Sequence, residues 1–401
     1  MTSQSHRNSQ RSGSTLPHIL FLMSDTGGGH RAASRAIEAA LQRRHPDAFT
    51  TELVDMWKEY TPFPFNRMHT LYARWVNSHP ASYGAQFWLS ERLFRSRAIS
   101  NLYCRSAYGR MRHLYSDHPA DVIVCVHSVF VRPTIHALRR LGLRKPFITV
   151  VTDYALPPVV WYDPRVDRCL VPTEPAYERG LQLGMMPGQM LLTGAPVHPR
   201  FSDLQLSKAE ARAQLDWDHH ARIGLLVGGG DGMGRLLETA QAIDSALAAS
   251  GNKQAQLVVI AGRNQELQHQ LAQTTWRGKV RVYGFVSNIE LMMRAADVMI
   301  SKAGPASITE AAIMGLPLLL NGAIPYQETV NAEYVVKQGV GLYETEPERV
   351  AAAFVGILSD ETKLAQMAES ISKLAQPEAI WRIADEIWRY VDGSNRLSPR
   401  A

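Results

Sequence analysis

Residues 18–30 read HILFLMSDTGGGH, and residues 223–234 repeat the same order of events as IGLLVGGGDGMG. Each stretch opens on a short apolar run whose length and flanks predict a strand buried on both faces, as in a parallel sheet. Each then turns into glycines, and after the first set an Ala-rich helical stretch runs to about Arg44. Strand, glycine turn and helix are the opening of a βαβ unit. Meeting that opening near the start and again past the middle predicts two α/β halves, each a Rossmann-type sheet.

Working outward, further strands are expected at 122–126, 147–152 and 167–172 in the first half. In the second half they are expected at 257–261, 280–284, 298–301 and 318–320. Helices fall between them at 136–143, 289–296 and 308–314. The stretch 194–222, with Pro196, Pro199 and many charges, reads as the hinge. Doubly wound sheets bind ligands at the carboxyl ends of their strands, so two facing halves make a cleft.

The chain has 401 residues, enough for two or three domains at roughly 100–200 residues each. Hydrophobic residues are 45% and charged residues 20%, which excludes wholesale disorder, a coiled coil or a collagen-like fibre. Cys104, Cys125 and Cys169 are too few and scattered for a disulfide scaffold or a CxxC metal site, and suggest reduced thiols in a cytoplasmic setting. No apolar run approaches the ~18–20 residues that span a bilayer. Residues 1–15 read as a disordered tail without the apolar core of a secretory signal. The net charge of +6 is concentrated: residues 56–115 hold nine Lys/Arg against two acids, and 13 of the 33 aromatics. Basic plus aromatic suits an anionic membrane surface or nucleic acid; a helical insert with a solvated basic face is the plainer alternative.

Four segments are candidates for chemistry. In SDTGGGH, Gly28 and Gly29 let the backbone approach a ligand, and the helix starting near His30 offers free N–H groups to an anion. In GGGDGMG, Gly228, Gly229, Gly230 and Gly232 exceed what a tight turn needs and suggest close approach to a bulky ligand. Neither segment fits GxGxxG or GxxxxGK[ST]. In SKAGPASITE (301–310), Ser307 and the adjacent N–H groups suit a phosphate, and Glu310 suits a ribose diol; a capping serine with a first-turn acid is the plainer alternative. In IPYQETVN (324–331), Gln327, Glu328 and Asn331 have helical spacing and suit sugar hydroxyls. HExxH and paired cysteines are absent, and His30, His127 and His198 stand too far apart in sequence to be read as metal ligands.

In this order the segments resemble the monogalactosyldiacylglycerol synthases and processive diacylglycerol glucosyltransferases. These belong to the wider family 28-like group that includes the bacterial lipid II N-acetylglucosaminyltransferase. The resemblance runs from about Pro17 to Gly341 through MSDTGGGH, VTD (151–153), VPTE (171–174), GGGDGMG, AGRN (261–264), GFV (284–286) and SKAGPASITEA. It implies a GT-B fold with a cleft between two Rossmann-like domains. Residues 16–200 would form the acceptor- and membrane-binding domain, with the insert 56–115. Residues 201–375 would form the UDP-sugar domain, and 376–401 a crossover helix and tail. It implies inverting hexosyl transfer from a UDP-sugar, galactose favoured and glucose allowed, to diacylglycerol, with no metal required. The enzyme would be cytoplasmic and peripherally bound to an anionic membrane, with no nucleic-acid partner.

By the same resemblance, His30 matches a catalytic base or acceptor-orienting group, and Asp153 stands at a facing strand end to orient or assist it; which of the two takes the proton is left open. Val286 reads the uracil, Glu310 the ribose diol, and Ser307 with residues 228–232 the diphosphate. Arg263 joins the donor site, and Gln327, Glu328 and Asn331 hold the sugar. One departure is GAPVHPR (194–200), where relatives carry an Arg after Pro-Val; His198 stands there, with Arg200 nearby. The stretch 378–391, EAIWRIADEIWRYV, is amphipathic, with Ile380, Ile383, Ala384 and Ile387 on one face, and is expected to cross back onto the first half. Transfer to another lipid-linked or soluble acceptor, and a UDP-sugar-binding regulator with little turnover, are the competing readings.

Overall fold

A computed structural model describes residues 16–394 except Gly27, Pro64, Asp231 and Met233. The tail expected at 1–15 lies outside the described residues. The strands are β1 (His18–Met23), β2 (Thr50–Asp55), β3 (Val122–Cys125), β4 (Phe147–Val150), β5 (Arg168–Val171) and β6 (Met190–Leu192) in the first half. The second half holds β7 (Arg222–Val227), β8 (Ala255–Ile260), β9 (Lys279–Tyr283), β10 (Val298–Lys302), β11 (Leu318–Gly322) and β12 (Gly341–Tyr343). They form two six-stranded sheets, ordered β2-β1-β3-β4-β5-β6 and β12-β11-β10-β7-β8-β9, with every pairing parallel.

Both faces of each sheet are buried under helices, which is why the central strands are continuous apolar runs. The helix Ala379–Val391 lays Ile380, Ile383, Ala384 and Ile387 against the face of the first sheet that also carries helix Gly29–Arg44. The chain thus returns to the half it began in.

Two differences from the sequence reading have physical causes. β6 and β12 have three residues each, too few for a period to register. The helix expected at 136–143 begins at Ser128 and runs through Pro133 to Arg140. Proline removes the bond to the carbonyl four residues back, and here the Tyr103 hydroxyl donates to that carbonyl, Val129 O, at 3.2 Å. A side chain 26 residues upstream therefore permits a helix that the local sequence argues against.

The insert between β2 and β3 is helical: Met56–Tyr60, Met68–Ser78, Pro80–Leu93 and Arg97–Asp117. Met111 and Leu114 on the last of these join the first sheet's core. Tyr83 and Val76 instead cluster with Ile324 of the second half. No helix among the described residues is long and apolar enough to cross a membrane.

Candidate active site

The site forms where residues just past the carboxyl ends of both sheets meet. His30 is the second residue of helix Gly29–Arg44, whose cap, Gly28, takes a left-handed φ of 76°. The His30 ring reaches the segment beyond β3, where Nδ1 lies 2.7 Å from Val126 O. A carbonyl only accepts, so Nδ1 carries the hydrogen and Nε2 keeps its lone pair. Thr152 Oγ1, beyond β4, lies 3.2 Å from the same Nδ1. Both partners fall in stretches read from sequence as strand. They leave the ladder after Cys125 and Val150, which frees them for this role.

Burial lowers the His30 pKa, opposed by the field of Asp153 and the bond to Val126, so the neutral imidazole is favoured. The His127 ring lies against it, with centroids 4.3 Å apart. His127 is buried, and its Nδ1 has no partner among the described residues. Burial first, and His30 second, hold its pKa well below the usual range. Asp153 accepts from Trp161 Nε1 at 2.6 Å and faces Gln327 Nε2 at 3.5 Å. Burial raises its pKa against those bonds and the field of His30.

On the opposite side the loop after β7 folds against the one after β8. A Cβ on Gly232 would stand 2.4 Å from Ala261 O, and one on Gly262 2.6 Å from Gly229 O. Two backbones approach here as only glycine allows. Arg263 N donates to Gly230 O at 2.9 Å. Its guanidinium Nη2 lies 3.2 Å from where a Gly28 Cβ would stand and 3.0 Å from the Gly230 equivalent. Arg263 therefore sits between the glycine loops of the two halves, over the Phe285 ring. Val286 follows, partly buried against the second core.

Lys302, the last residue of β10, lies beside the same loops, with Cε 3.9 Å from the Gly229 Cβ position. It pairs with Glu328, whose other oxygen accepts from Ile324 N at 3.1 Å. Lys302 lies inside SKAGPASITE, and nothing in the local sequence distinguishes it from a solvated strand-end lysine. Gly304 caps helix Pro305–Met314 with no side-chain bond, leaving the N–H groups around Ser307 without a capping side chain.

Glu310, one turn in, has no hydrogen-bond partner among the described residues. Burial raises its carboxyl to about 7, opposed by Arg200 and reinforced by Glu290. Arg200 donates to Ser287 O at 2.9 Å and lies 3.3 Å from Glu290, which anchors the hinge beside Val286. His198 accepts from Arg200 N at 3.2 Å, and burial with Arg200 nearby lowers its pKa. The neutral ring is favoured there.

The sugar trio departs from the helical face expected of it. Helix Thr329–Lys337 starts after Gln327 and Glu328, because Tyr326 turns the chain at a φ of 62°. Gln327 faces Asp153, while Glu328 is buried on Lys302. Asn331 is buried, accepting from Ala155 N at 3.0 Å and donating to Ala303 O at 3.0 Å. Its amide joins the two halves.

Two six-stranded parallel sheets meeting through strand-end loops, with a partly buried histidine and glycine loops at the junction, have the architecture of the GT-B glycosyltransferases. Solved structures with this fold include Acinetobacter baumannii MurG, 16% identical at a TM-score of 0.58 over 94% of this chain and 100% of that one. The glycosyltransferase of kitacinnamycin is 17% identical at 0.60 over 94% and 100%. Residues 30–197 match the family model of monogalactosyldiacylglycerol (MGDG) synthase, and 224–383 match that of the glycosyltransferase family 28 C-terminal domain. The chloroplastic monogalactosyldiacylglycerol synthase of Spinacia oleracea is 36% identical, over 92% of this chain and 72% of its own length. Monogalactosyldiacylglycerol synthase 1 of Arabidopsis thaliana is 35% identical, over 94% and 72%. The chain belongs to the monogalactosyldiacylglycerol synthase family.

Proposed function

We propose that this glycosyltransferase moves galactose from UDP-galactose to diacylglycerol with inversion, giving a β-galactosyl lipid. The observation that carries the reading is the His30 tautomer: Nδ1–H is held by Val126 O, so Nε2 is left as a base. The acceptor hydroxyl gives its proton to Nε2 as its oxygen bonds to the anomeric carbon. The bond from that carbon to the diphosphate oxygen breaks, and UDP leaves with the electron pair. Asp153 stabilises the imidazolium that forms.

Arg263, Lys302 and the N–H groups around Ser307, with Gly228, Gly229, Gly230 and Gly232, meet the charge growing on the diphosphate. Positive charge supplied in this way serves the leaving group without a metal. Val286 contacts uracil, Glu310 accepts from the ribose diol, and Gln327 contacts the sugar. Glu328 acts through Lys302, and Asn331 holds the halves in register.

The insert supports membrane docking. Phe63, Trp88, Leu89, Leu93 and Leu102 are exposed, and Arg92 lies 3.9 Å over Trp88. Each cation near an anionic surface contributes about 1 kcal/mol.

Transfer of radiolabel from UDP-galactose and UDP-glucose, assayed separately with diacylglycerol in anionic liposomes and read by thin-layer chromatography, tests this. Labelled monogalactosyl lipid is expected, unchanged by chelator. His30→Ala should lower kcat at least about 100-fold and leave UDP affinity intact. Absence of labelled lipid, or near-native turnover by His30→Ala, overturns the reading.

A further inference from the structure

The donor-sugar glutamine is held from the other half of the molecule. The Tyr83 hydroxyl donates to Gln327 Oε1 at 2.7 Å. Tyr83 belongs to the insert helix Pro80–Leu93, between β2 and β3, whereas Gln327 lies in the loop after β11. The amide is thereby oriented: Oε1 faces Tyr83, and Nε2 faces Asp153. An amide free to flip would present either group to a sugar hydroxyl.

The contact is built in rather than incidental. Tyr83 is buried, with Tyr72 and Trp75 edge-on to its ring at 5.6 and 5.4 Å. The next residue, Gly84, lets the helix meet the loop: a Cβ there would stand 2.7 Å from Pro325 Cβ and 3.0 Å from the Tyr326 ring. Tyr326 itself takes a left-handed φ, which a tyrosine adopts only when its surroundings impose it. Two turns further along, Glu91 fastens the same helix to the first half. It accepts from Val159 N at 2.8 Å and pairs with Arg179. The helix is a strut, fixed to the first half at one end and clasping the sugar loop of the second at the other.

We propose that Tyr83 is a positioning residue for the donor sugar, so that the N-terminal insert completes the sugar subsite of the C-terminal half. The inference rests on the reading of Gln327 as a sugar contact. It predicts that the hydroxyl, not the ring, matters for the hexose and is irrelevant to the nucleotide.

Tyr83→Phe keeps the packing and removes the hydroxyl. UDP and UDP-galactose affinities by calorimetry, steady-state kcat and KM, and thermal melting are compared for Tyr83→Phe, Gln327→Ala and the double variant. Trp75→Phe, which alters the ring's packing without touching Gln327, is the control. The expected result is unchanged melting and UDP affinity, with kcat/KM and UDP-galactose affinity reduced about three- to tenfold, the worth of one hydrogen bond. Tyr83→Phe should add nothing once Gln327 is alanine. The proposal is overturned if Gln327→Ala is impaired while Tyr83→Phe is native-like, if the two losses add, or if Trp75→Phe reproduces the defect. A native-like Gln327→Ala removes the sugar contact itself and, with it, the basis of the proposal. The binding arms give their answer even if no lipid product forms.

Discussion

At the scale of single residues, the site is governed by desolvation set against a few aimed partners. Glu310 shows how this becomes measurable. Its carboxyl is raised to about 7 because burial disfavours the charge and the opposing field of Arg200 only partly compensates. In the contact proposed for Glu310 a ribose diol donates two hydrogen bonds, which the ionised carboxylate accepts more strongly than the protonated acid. Affinity for UDP-galactose, whose diphosphate does not titrate near neutrality, should therefore tighten as pH rises through about 7. Below that pH, binding should release a proton. Glu310→Ala should weaken binding about tenfold at high pH, a loss of the size expected for hydrogen bonds to a charged group, and flatten the profile. Calorimetry in buffers of differing ionisation enthalpy checks both. An equally steep profile in Glu310→Ala would remove Glu310 from the ribose. His127 belongs to this scale too. Set aside in the sequence as too isolated to be a metal ligand, it lies buried against His30 with Nδ1 unpartnered among the described residues. Sequence separation hid that, because the two are 97 positions apart in the chain.

At the scale of elements, the insert has two faces with different surroundings, one packed on the second half and one exposed. Tyr83 and Gly84 on helix Pro80–Leu93 face the loop that carries Pro325, Tyr326 and Gln327. Trp88, Leu89, Arg92 and Leu93, spaced three and four apart, form a strip of their own on that helix, and its three apolar members are exposed. Replacing Trp88 and Leu89 together by serine should lower the partition constant onto anionic phospholipid vesicles, read by cosedimentation, about a hundredfold or more, since each large apolar side chain contributes about 1.5–3 kcal/mol when buried. Affinity for UDP should not change. Raised salt should weaken binding further by screening the arginines. Undiminished vesicle binding would move the docking surface elsewhere. The basic and aromatic excess of this segment was legible as composition. Which residues face the cleft was not, because that depends on how the helices dock on a loop more than 200 positions away.

At the scale of the whole molecule, two sheets are tied by contacts of different kinds. Asn331 bonds across the cleft, Arg43 pairs with Asp203, and helix Ala379–Val391 returns to the first sheet. Ile383 on that helix is fully buried. Ile383→Asp would bury an unpaired charge and should cost about 4 kcal/mol, at the severe end for single changes. Thermal melting should show an early transition of the first half, while calorimetry still detects UDP binding by the second. Melting unchanged from the native protein would show that the return of this helix adds nothing to the first half.

The sequence by itself determined the repeated strand–glycine–helix openings, hence two parallel sheets, and the amphipathic face of the last helix. These follow from patterns within ten or so neighbouring residues, where period and turn chemistry operate. It also marked His30 and Glu310 as candidates, from the glycine turn before one and the strand–turn–helix opening before the other, while Asp153 and Arg263 were marked only through the motifs that carry the family resemblance. Tertiary structure alone decided the rest. Pro133 stays helical because Tyr103 reaches its orphan carbonyl. Lys302 is held at the glycine loops by Glu328, and Asn331 bridges the halves instead of facing a sugar. Gln327 is oriented by Tyr83. Each of these depends on partners distant in the chain, and no local period records which polar groups folding will bring within hydrogen-bond reach.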